Sequence, residues 1–246
     1  MTAAGRGALG ATGYHRLDGD LVLSTVQRLR QRITERFPES GLREVAGELE
    51  SIASHARHAA PGLGKPIIPL RILVGLVGAV LGGALLVLLA SLRAFRIEQG
   101  LGSALQAIEA GIQNVVFLGI AFVYLARVEK YWVKRKRALA SIHELRSLAH
   151  IVDMHQLLKD PEIVLDEHLP TPSSPERPFN RFELARYLDY CSEMLSLTGK
   201  VAALYAQYLD DPVLLAAVTE VETLATGISG KIWQKIVIVD TVSRKP

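Results

Sequence analysis

The stretch Ile72–Leu92, ILVGLVGAVLGGALLVLLASL, decides how this chain folds. Its 21 residues carry no charge, and Arg71 and Arg93 bound it. A bilayer core is about 30 Å thick, so an α-helix rising about 1.5 Å per residue needs about 20 apolar residues to cross it. A soluble helix of this length normally carries a polar face. The stretch therefore predicts a transmembrane helix.

A second apolar stretch, Leu105–Ala126, predicts a second span, although it contains four polar residues. It ends as a span should, because aromatic residues and a basic cluster follow it at once. That cluster consists of Lys134, Arg135, Lys136 and Arg137. The alternative is a single-span protein whose second helix lies in the membrane interface.

Basic residues near the ends of these stretches predict the orientation of the chain. Ten lysines and arginines lie just before the first stretch or just after the second, against two, Arg93 and Arg96, between them. Cytoplasmic flanks of membrane spans carry the excess of positive charge. We therefore expect both termini in the cytoplasm and the connection outside the plasma (inner) membrane. We expect no cleavable signal peptide, so the first span itself directs insertion.

Helical patterns on both sides complete the predicted fold, an all-α integral membrane helical hairpin with cytoplasmic helical bundle regions. Asp18 precedes one apolar stripe, and Ser40 precedes a second. Asn180 and Glu183 have the spacing of a capping box, ahead of a helix with two adjacent apolar stripes. Asp211-Pro212 is typical of the start of a last helix.

These patterns divide the chain into six regions. They are a disordered N-terminus at 1–17, a cytoplasmic helical hairpin at 18–66, a two-span hairpin at 67–133, a cytoplasmic extension of the second span at 134–160, a proline-rich linker at 161–179, and a C-terminal helical hairpin at 180–246.

Composition excludes several classes of function. The net charge is +3, and the basic residues flank the apolar stretches, so we expect no nucleic-acid partner. Cys191 is the one cysteine and is expected as a small core residue. Only His150 with Asp153 has the spacing of a metal-binding pair, and a solvated surface explains both. We expect no metal, no cofactor and no enzymatic activity, since no catalytic motif is present.

Two sets of residues in the spans are candidates for function. Gln106, Glu109 and Gln113 share one face of the second span, and Asn114 flanks it. They either line a path through an oligomer or join helices near the outer headgroups, and we favour the second interpretation. The first span carries a small-residue face for close helix packing, against the second span or another subunit. Its members are Gly75, Gly78, Ala79, Gly82 and Gly83.

The order of parts resembles that of bacterial two-transmembrane effectors of the SLATT type. The resemblance is one of layout, with Ile72–Leu92, Arg93–Ala104 and Leu105–Ala126 between helical flanks. It implies a protein that perturbs membranes after a partner signals, and it assigns no site residue.

The leading hypothesis is a non-enzymatic membrane protein that forms a homo-oligomer through its helices and carries a cytoplasmic sensing or binding module. A pore is its sharper version. Membrane lipids are the expected partners, with Lys134–Arg137 at the headgroups, and the module leaves room for a cytoplasmic protein partner. The alternative is a passive anchor or scaffold that holds such a partner at the membrane.

Overall fold

The computed structural model describes residues 16–65, 67–94, 101–127, 132–157, 159 and 179–242, and every regular element within them is helical. The predicted all-α fold is therefore confirmed. The helices are α1 Gly19–Arg36, α2 Gly41–Gly64, α3 Ile68–Ala94, α4 Leu101–Arg127, α5 Arg135–Leu157, α6 Arg181–Ala206 and α7 Pro212–Val242. A π-helical turn at 132–134 precedes α5. Most of the predicted N-terminal tail and proline-rich linker, and the connection at 95–100, lie outside the described residues.

The described helices fall into two compact units. The first, the helical body, combines α1 and α2 with the part of the chain that follows Lys136. The second, the apolar hairpin, runs from Lys65 to Lys136 and contains α3 and α4.

The N-terminal helices begin where their caps predict. Asp18 accepts hydrogen bonds from the first backbone N–H groups of α1, and Oγ of Ser40 accepts one from the N–H of Leu42 at the start of α2. Helix α2 continues past Pro61 to Gly64, because a proline in the last turn removes only one hydrogen bond. Helix α2 thus ends two residues before the predicted boundary of the N-terminal helical hairpin at residue 66.

Helices α6 and α7 form the largest contact in the helical body. The predicted capping box at the start of α6 is confirmed, since the Asn180 and Glu183 side chains each accept from the other's backbone N–H. Both apolar stripes of α6 are buried, as Leu188 and Met194 illustrate. The side chain of Asp211 caps α7, whose inner face is buried from Leu214 to Ile232.

The core of the helical body joins segments that are far apart in the sequence. Helices α1 and α2 pack against each other, and both pack against α6. An ion pair between Arg32 and Glu193 links α1 to α6 at the surface. Helix α5 contributes Leu145 to the same core, and Arg146 pairs with Glu220 of α7 at 3.2 Å.

The apolar hairpin consists of α3 and α4 packed side by side. Each helix has 27 residues, so each is about 40 Å long. Residues 95–100 separate them, and a connection that short cannot return along a helix of this length. The two helices therefore run in opposite directions.

By length and composition, one helical segment within the described residues could cross a membrane, Pro212–Thr241 in α7. The apolar segments found in α3 and α4 are shorter, Ile72–Val87 and Gly111–Leu125. Core helices of soluble proteins meet the same criterion, and α7 buries one face in the helical body. The two spans predicted at Ile72–Leu92 and Leu105–Ala126 remain a prediction.

Candidate functional site

The seam between α3 and α4 is made by apolar residues spaced three or four apart. On α3 the half-buried positions are Val74, Val77, Gly78, Leu81 and Ala84. On α4 they include Gly111, Val115, Leu118 and Leu125. This spacing keeps one face of each helix against the other, so the remaining faces of the hairpin are turned away from the seam.

The structure separates the predicted small-residue face into two parts. A Cβ added to Gly78 would lie 3.4 Å from Cε2 of Phe122, so this glycine lets the two helices approach closely. A Cβ on Gly75, Gly82 or Gly83 would meet no described atom within 4 Å. Ala79 is exposed on the same side. Gly78 therefore serves the hairpin itself, and the other four form an open face.

The polar side chains of α4 also point away from the seam. Glu109, Gln113 and Asn114 are exposed, and the side chain of Gln106 lies outside the described part. At about 100° per residue, Glu109 and Gln113 lie on nearly the opposite side of α4 from Phe122. These two residues therefore share an outward face.

The close approach of Gly78 and Phe122 also fixes which residues of α3 and α4 lie at the same height along the hairpin. In an antiparallel pair, it puts positions 113 and 109 of α4 at the same level along the hairpin as positions 87 and 91 of α3. Glu109 is therefore level with the end of the uncharged stretch at Leu92. Gln113 lies about 6 Å from that level along α4, about one helical turn closer to the middle of the uncharged stretch.

The basic cluster lies at the start of α5. Lys134 and Arg135 are half-buried, and Lys136 and Arg137 are exposed. Trp132 precedes them with 72% of its surface exposed. An exposed tryptophan beside lysines and arginines is typical of a membrane interface.

The helical body contains a pocket of about 450 Å³ where three elements meet. The turn between α1 and α2 forms one wall, the end of α5 a second, and the start of α6 a third. The residues that line it are Arg36, Phe37, Pro38, Glu39, Ser40, Gly41, His155, Lys159, Phe179, Glu183 and Tyr187. We call it the α1–α5–α6 pocket.

An aromatic cluster forms the floor of this pocket. The ring of Phe37 packs edge-on against Phe179 at 5.1 Å and against Tyr187 at 5.5 Å between centroids. Burial raises the pKa of Tyr187, and a hydrogen bond with Ser40 opposes that rise. The phenol therefore stays neutral and contributes an apolar wall with one polar end.

Two basic side chains from the end of α5 enter the pocket. Nζ of Lys159 lies 4.6 Å from the ring centroid of Phe179, a cation–π contact. Burial lowers the pKa of Lys159. Burial, and then the charge of Lys159, lower the pKa of His155, while Glu44 opposes the change. Both pKa values fall because burial removes water that would stabilise the charged form of each side chain.

The backbone around His155 and Lys159 is held in place by two specific features. Nζ of Lys235, on α7, donates to the carbonyl oxygens of Gln156 at 2.8 Å and Lys159 at 3.3 Å. It thereby satisfies carbonyl groups that the end of α5 leaves without a helical partner. A Cβ on Gly41 would lie 2.7 Å from Cε1 of His155, so the imidazole needs a glycine there.

The sequence did not single out the residues of this pocket as a site. Only the Pro38-Glu39-Ser40 turn and the cap at Asn180 gave a local signal. His150 is exposed, and Asp153 accepts a hydrogen bond from Gln156 at 2.6 Å. Within the described ranges, no three His, Cys, Asp or Glu side chains are grouped to hold a metal ion.

No protein-family model, curated protein or solved structure matches this chain. The function is therefore inferred from the residues alone.

Proposed function

We propose that this chain is a non-enzymatic membrane protein whose apolar hairpin crosses the bilayer and associates with the hairpins of further copies. In this proposal the helical body lies in the cytoplasm with both termini and acts as a sensing or binding module. The membrane is the plasma (inner) membrane. The partners are lipids, other copies of the chain and a cytoplasmic ligand or protein that the helical body binds.

The exposed surface of the hairpin supports its placement in lipid. Leu76 is 60% exposed, Leu86 69% and Phe117 62%. Contiguous apolar surface of this extent is covered in native proteins by lipid or by another protein. With about 40 Å of helix in each arm, both α3 and α4 are long enough to cross a bilayer core.

The assembly of the helical body supports two crossings rather than one. Helices α1 and α2 precede the hairpin, α6 follows it, and they share one core. A single crossing between Gly64 and Arg137 would leave these helices on opposite sides of the membrane. Two crossings return the chain to the side where it began.

Helix α7 is less suited to cross the membrane than α3. It carries Glu220, Glu222, Lys231 and Lys235 within the segment that is apolar enough to span. Charged side chains are costly inside a bilayer. Its buried face and its ion pair with Arg146 fit a helix of the soluble core.

The basic cluster favours the cytoplasmic orientation. Lys134, Arg135, Lys136 and Arg137 follow α4, and positive residues are retained on the cytoplasmic side. Each can contribute about 1 kcal/mol of attraction to anionic headgroups. Both termini then lie on that side, together with the helical body.

The open faces of the hairpin are the observation that carries self-association. No described atom lies within 4 Å of a Cβ built on Gly82 or Gly83 of α3, and in the proposed placement Gln113 on α4 points outward at a depth where water is scarce. Small residues allow close helix contact, and a polar side chain in lipid is stabilised by a partner across a helix interface. A second hairpin supplies both.

The mass of the protein in detergent tests this proposal. We expect the full chain, purified in a mild detergent, to show a defined oligomer of more than two copies by light scattering. Gly82→Leu and Gln113→Leu should each shift the distribution towards smaller species, because the first adds bulk to the open face and the second removes the polar contact.

Two further variants serve as controls. Leu73→Phe adds bulk at an exposed position that lies about 80° or more around α3 from every member of the open face, and it should leave the mass unchanged. Gly78→Leu would collide with Phe122 and should disrupt the hairpin itself. A monomeric parent, or an oligomer unaffected by both test variants, would contradict self-association through these faces.

The sharper version, a pore, makes a further demand. Liposomes containing the purified parent should leak ions, and Glu109→Gln should alter the leak, since Glu109 is the charged group of the outward face. If neither protein leaks, or if both leak equally, the pore is excluded and the oligomer is held by the same residues acting as contacts.

The rival function is a passive anchor or scaffold, and one surface favours it. The start of α6 and the end of α7 form an apolar groove with Phe182 61% and Trp233 64% exposed, where a protein partner could bind. Replacing α3 and α4 with an unrelated two-span hairpin should preserve the function of an anchor. The same replacement should abolish the function of an associating hairpin.

A further inference from the structure

The α1–α5–α6 pocket has the dimensions of a small-molecule site. Its volume of about 450 Å³ falls in the range of about 300–1,000 Å³ that ligand pockets occupy. Its lining combines an aromatic floor with a few charged side chains, which is the usual composition of such sites.

Two basic side chains of the pocket, Lys159 and His155, form no ion pair with a carboxylate in the described part of the chain. Among the described residues, no carboxylate oxygen lies within 4.0 Å of Lys159 or His155, and Lys159 rests instead on the rings of Phe179 and Tyr187. An ammonium group in a partly buried site is unfavourable unless an anion offsets its charge. An anionic group on a ligand would offset the charge of Lys159 and accept an N–H of the neutral imidazole, and protonation of His155 would add a second positive charge.

The remaining lining defines the rest of the ligand. Phe179 is half-buried, packs on the buried rings of Phe37 and Tyr187, and offers an apolar surface to the pocket. Glu183 is engaged, because one of its carboxylate oxygens accepts the N–H of Asn180 at 2.9 Å. Glu39 remains at the wall as an acceptor for a donor group on the ligand.

We propose that this pocket binds a phosphate monoester carried on an apolar or aromatic body, with the phosphate held between Lys159 and His155 and the body against Phe179. Nucleoside monophosphates and the headgroup of phosphatidic acid share this chemistry. The inference rests on the proposed role of the helical body as a sensing module, and it supplies the class of ligand.

Calorimetric titration of the detergent-solubilised full chain tests the site with named probes. The probes are adenosine 5′-monophosphate, adenosine, inorganic phosphate and short-chain phosphatidic acid below its micelle concentration. We expect one or both phosphate monoesters to bind more tightly than adenosine and inorganic phosphate, since only they engage the cations and the floor together. Preference between the two monoesters identifies a soluble or a lipid source.

Variants of Lys159 separate a specific site from general attraction to anions. Lys159→Gln should weaken binding of the preferred monoester about tenfold or more, because it removes a charge-assisted contact. Lys159→Arg should retain much of the affinity. Lys231→Gln, on an exposed part of α7, removes the same charge and should change affinity less than about twofold. Circular dichroism of each variant checks that the helices are intact.

The pH dependence of binding tests the role of His155. Its lowered pKa makes the imidazole neutral near pH 7, and protonation as the pH falls adds a charge that attracts the phosphate. The affinity of the parent should therefore rise relative to that of His155→Gln as the pH falls below 6.5, because the phosphate titrates equally in both measurements. The charged groups around this histidine are Lys159, Glu44, Arg36, Glu39 and Glu183, with Tyr187 neutral.

The proposal is overturned if no monoester binds more tightly than inorganic phosphate, or if Lys159→Gln and Lys231→Gln have the same effect. Mass measurement on the same samples keeps this outcome distinct from the proposed self-association. A protein that forms an oligomer without binding these probes retains its proposed function and loses its proposed ligand.

Discussion

Cys191 illustrates how burial controls the chemistry of a single residue in this protein. Its side chain projects from α6 into the core and is fully buried, and this burial raises the pKa of the thiol to about 12. Thiols react with alkylating reagents as thiolates. At neutral pH the folded protein therefore presents almost no reactive form of its one cysteine, as its place in an apolar stripe predicts.

We expect iodoacetamide at pH 8 to label Cys191 far more slowly in the folded chain than in guanidinium chloride. The reason is that the folded state both hides the sulfur and keeps it protonated. Mass spectrometry gives an unambiguous measurement, because the chain has one cysteine. Equal labelling rates in the two conditions would show that α6 is not packed as described.

Gly78 shows where sequence reasoning stops at the residue scale. The pattern of small residues in α3 predicted a packing face and left open whether the partner was α4 or another subunit. Which glycine meets α4 depends on how the two helices are rotated against each other. The structure identifies Gly78, because a Cβ built there would lie 3.4 Å from Cε2 of Phe122. The spacing of Gly78 and Gly82 is the same in either arrangement.

At the scale of helices, the starts and buried faces were predictable because they depend on residues close together in the chain. The capping box at Asn180 and the cap at Asp211 each involve contacts within three residues. The α1–α5–α6 pocket was not predictable, because it joins residues from Arg36 to Tyr187. No periodicity in one sequence reports a contact over that distance.

Asp211 provides a test of how far capping stabilises α7. Its side chain is almost fully buried and accepts the N–H groups of Val213 and Leu214, each at 3.0 Å. Loss of such a cap costs about 1–2 kcal/mol. Asp211→Ala should therefore lower the Tm of the helical body by about 2–8 °C, measured by circular dichroism.

The neighbouring Asp210 is a matched control, since it is exposed and makes none of these contacts among the described residues. Asp210→Ala should leave Tm nearly unchanged. Asp211→Asn keeps an oxygen that can accept the same hydrogen bonds and should fall between the two. Equal effects of the substitutions at 210 and 211 would show that the cap contributes little.

At the scale of the whole molecule, the helical body is built from the segments that precede and follow the hairpin. Leu17 near the start exchanges hydrogen bonds with the side chain of Gln207, at 2.8 and 3.5 Å. The hairpin separates the two halves of this unit in the sequence. This arrangement favours a protein in which the segments before and after the hairpin share one compartment.

Membrane placement has a direct test. We expect the chain to remain in the pellet when vesicles are washed with carbonate, because the proposed function embeds α3 and α4 in lipid. A reporter active only in the cytoplasm should function when fused after Pro246, and one inserted after Ile97 should not. A chain found in the carbonate supernatant, or a C-terminal reporter active only outside, would contradict the hairpin.

The shared core of α1, α2 and α6 has a consequence for biosynthesis. At about 5–20 residues per second, the ribosome exposes Gly64 on the order of ten seconds before α6 begins to emerge. During that interval Ile33 and Leu49, both buried in the finished core, have no α6 to cover them. Under the proposed topology, closure of the core also waits until both arms have entered the lipid. If the second arm failed to insert, α1 and α2 of the nascent chain would keep their apolar faces exposed, a state that chaperones and proteases recognise.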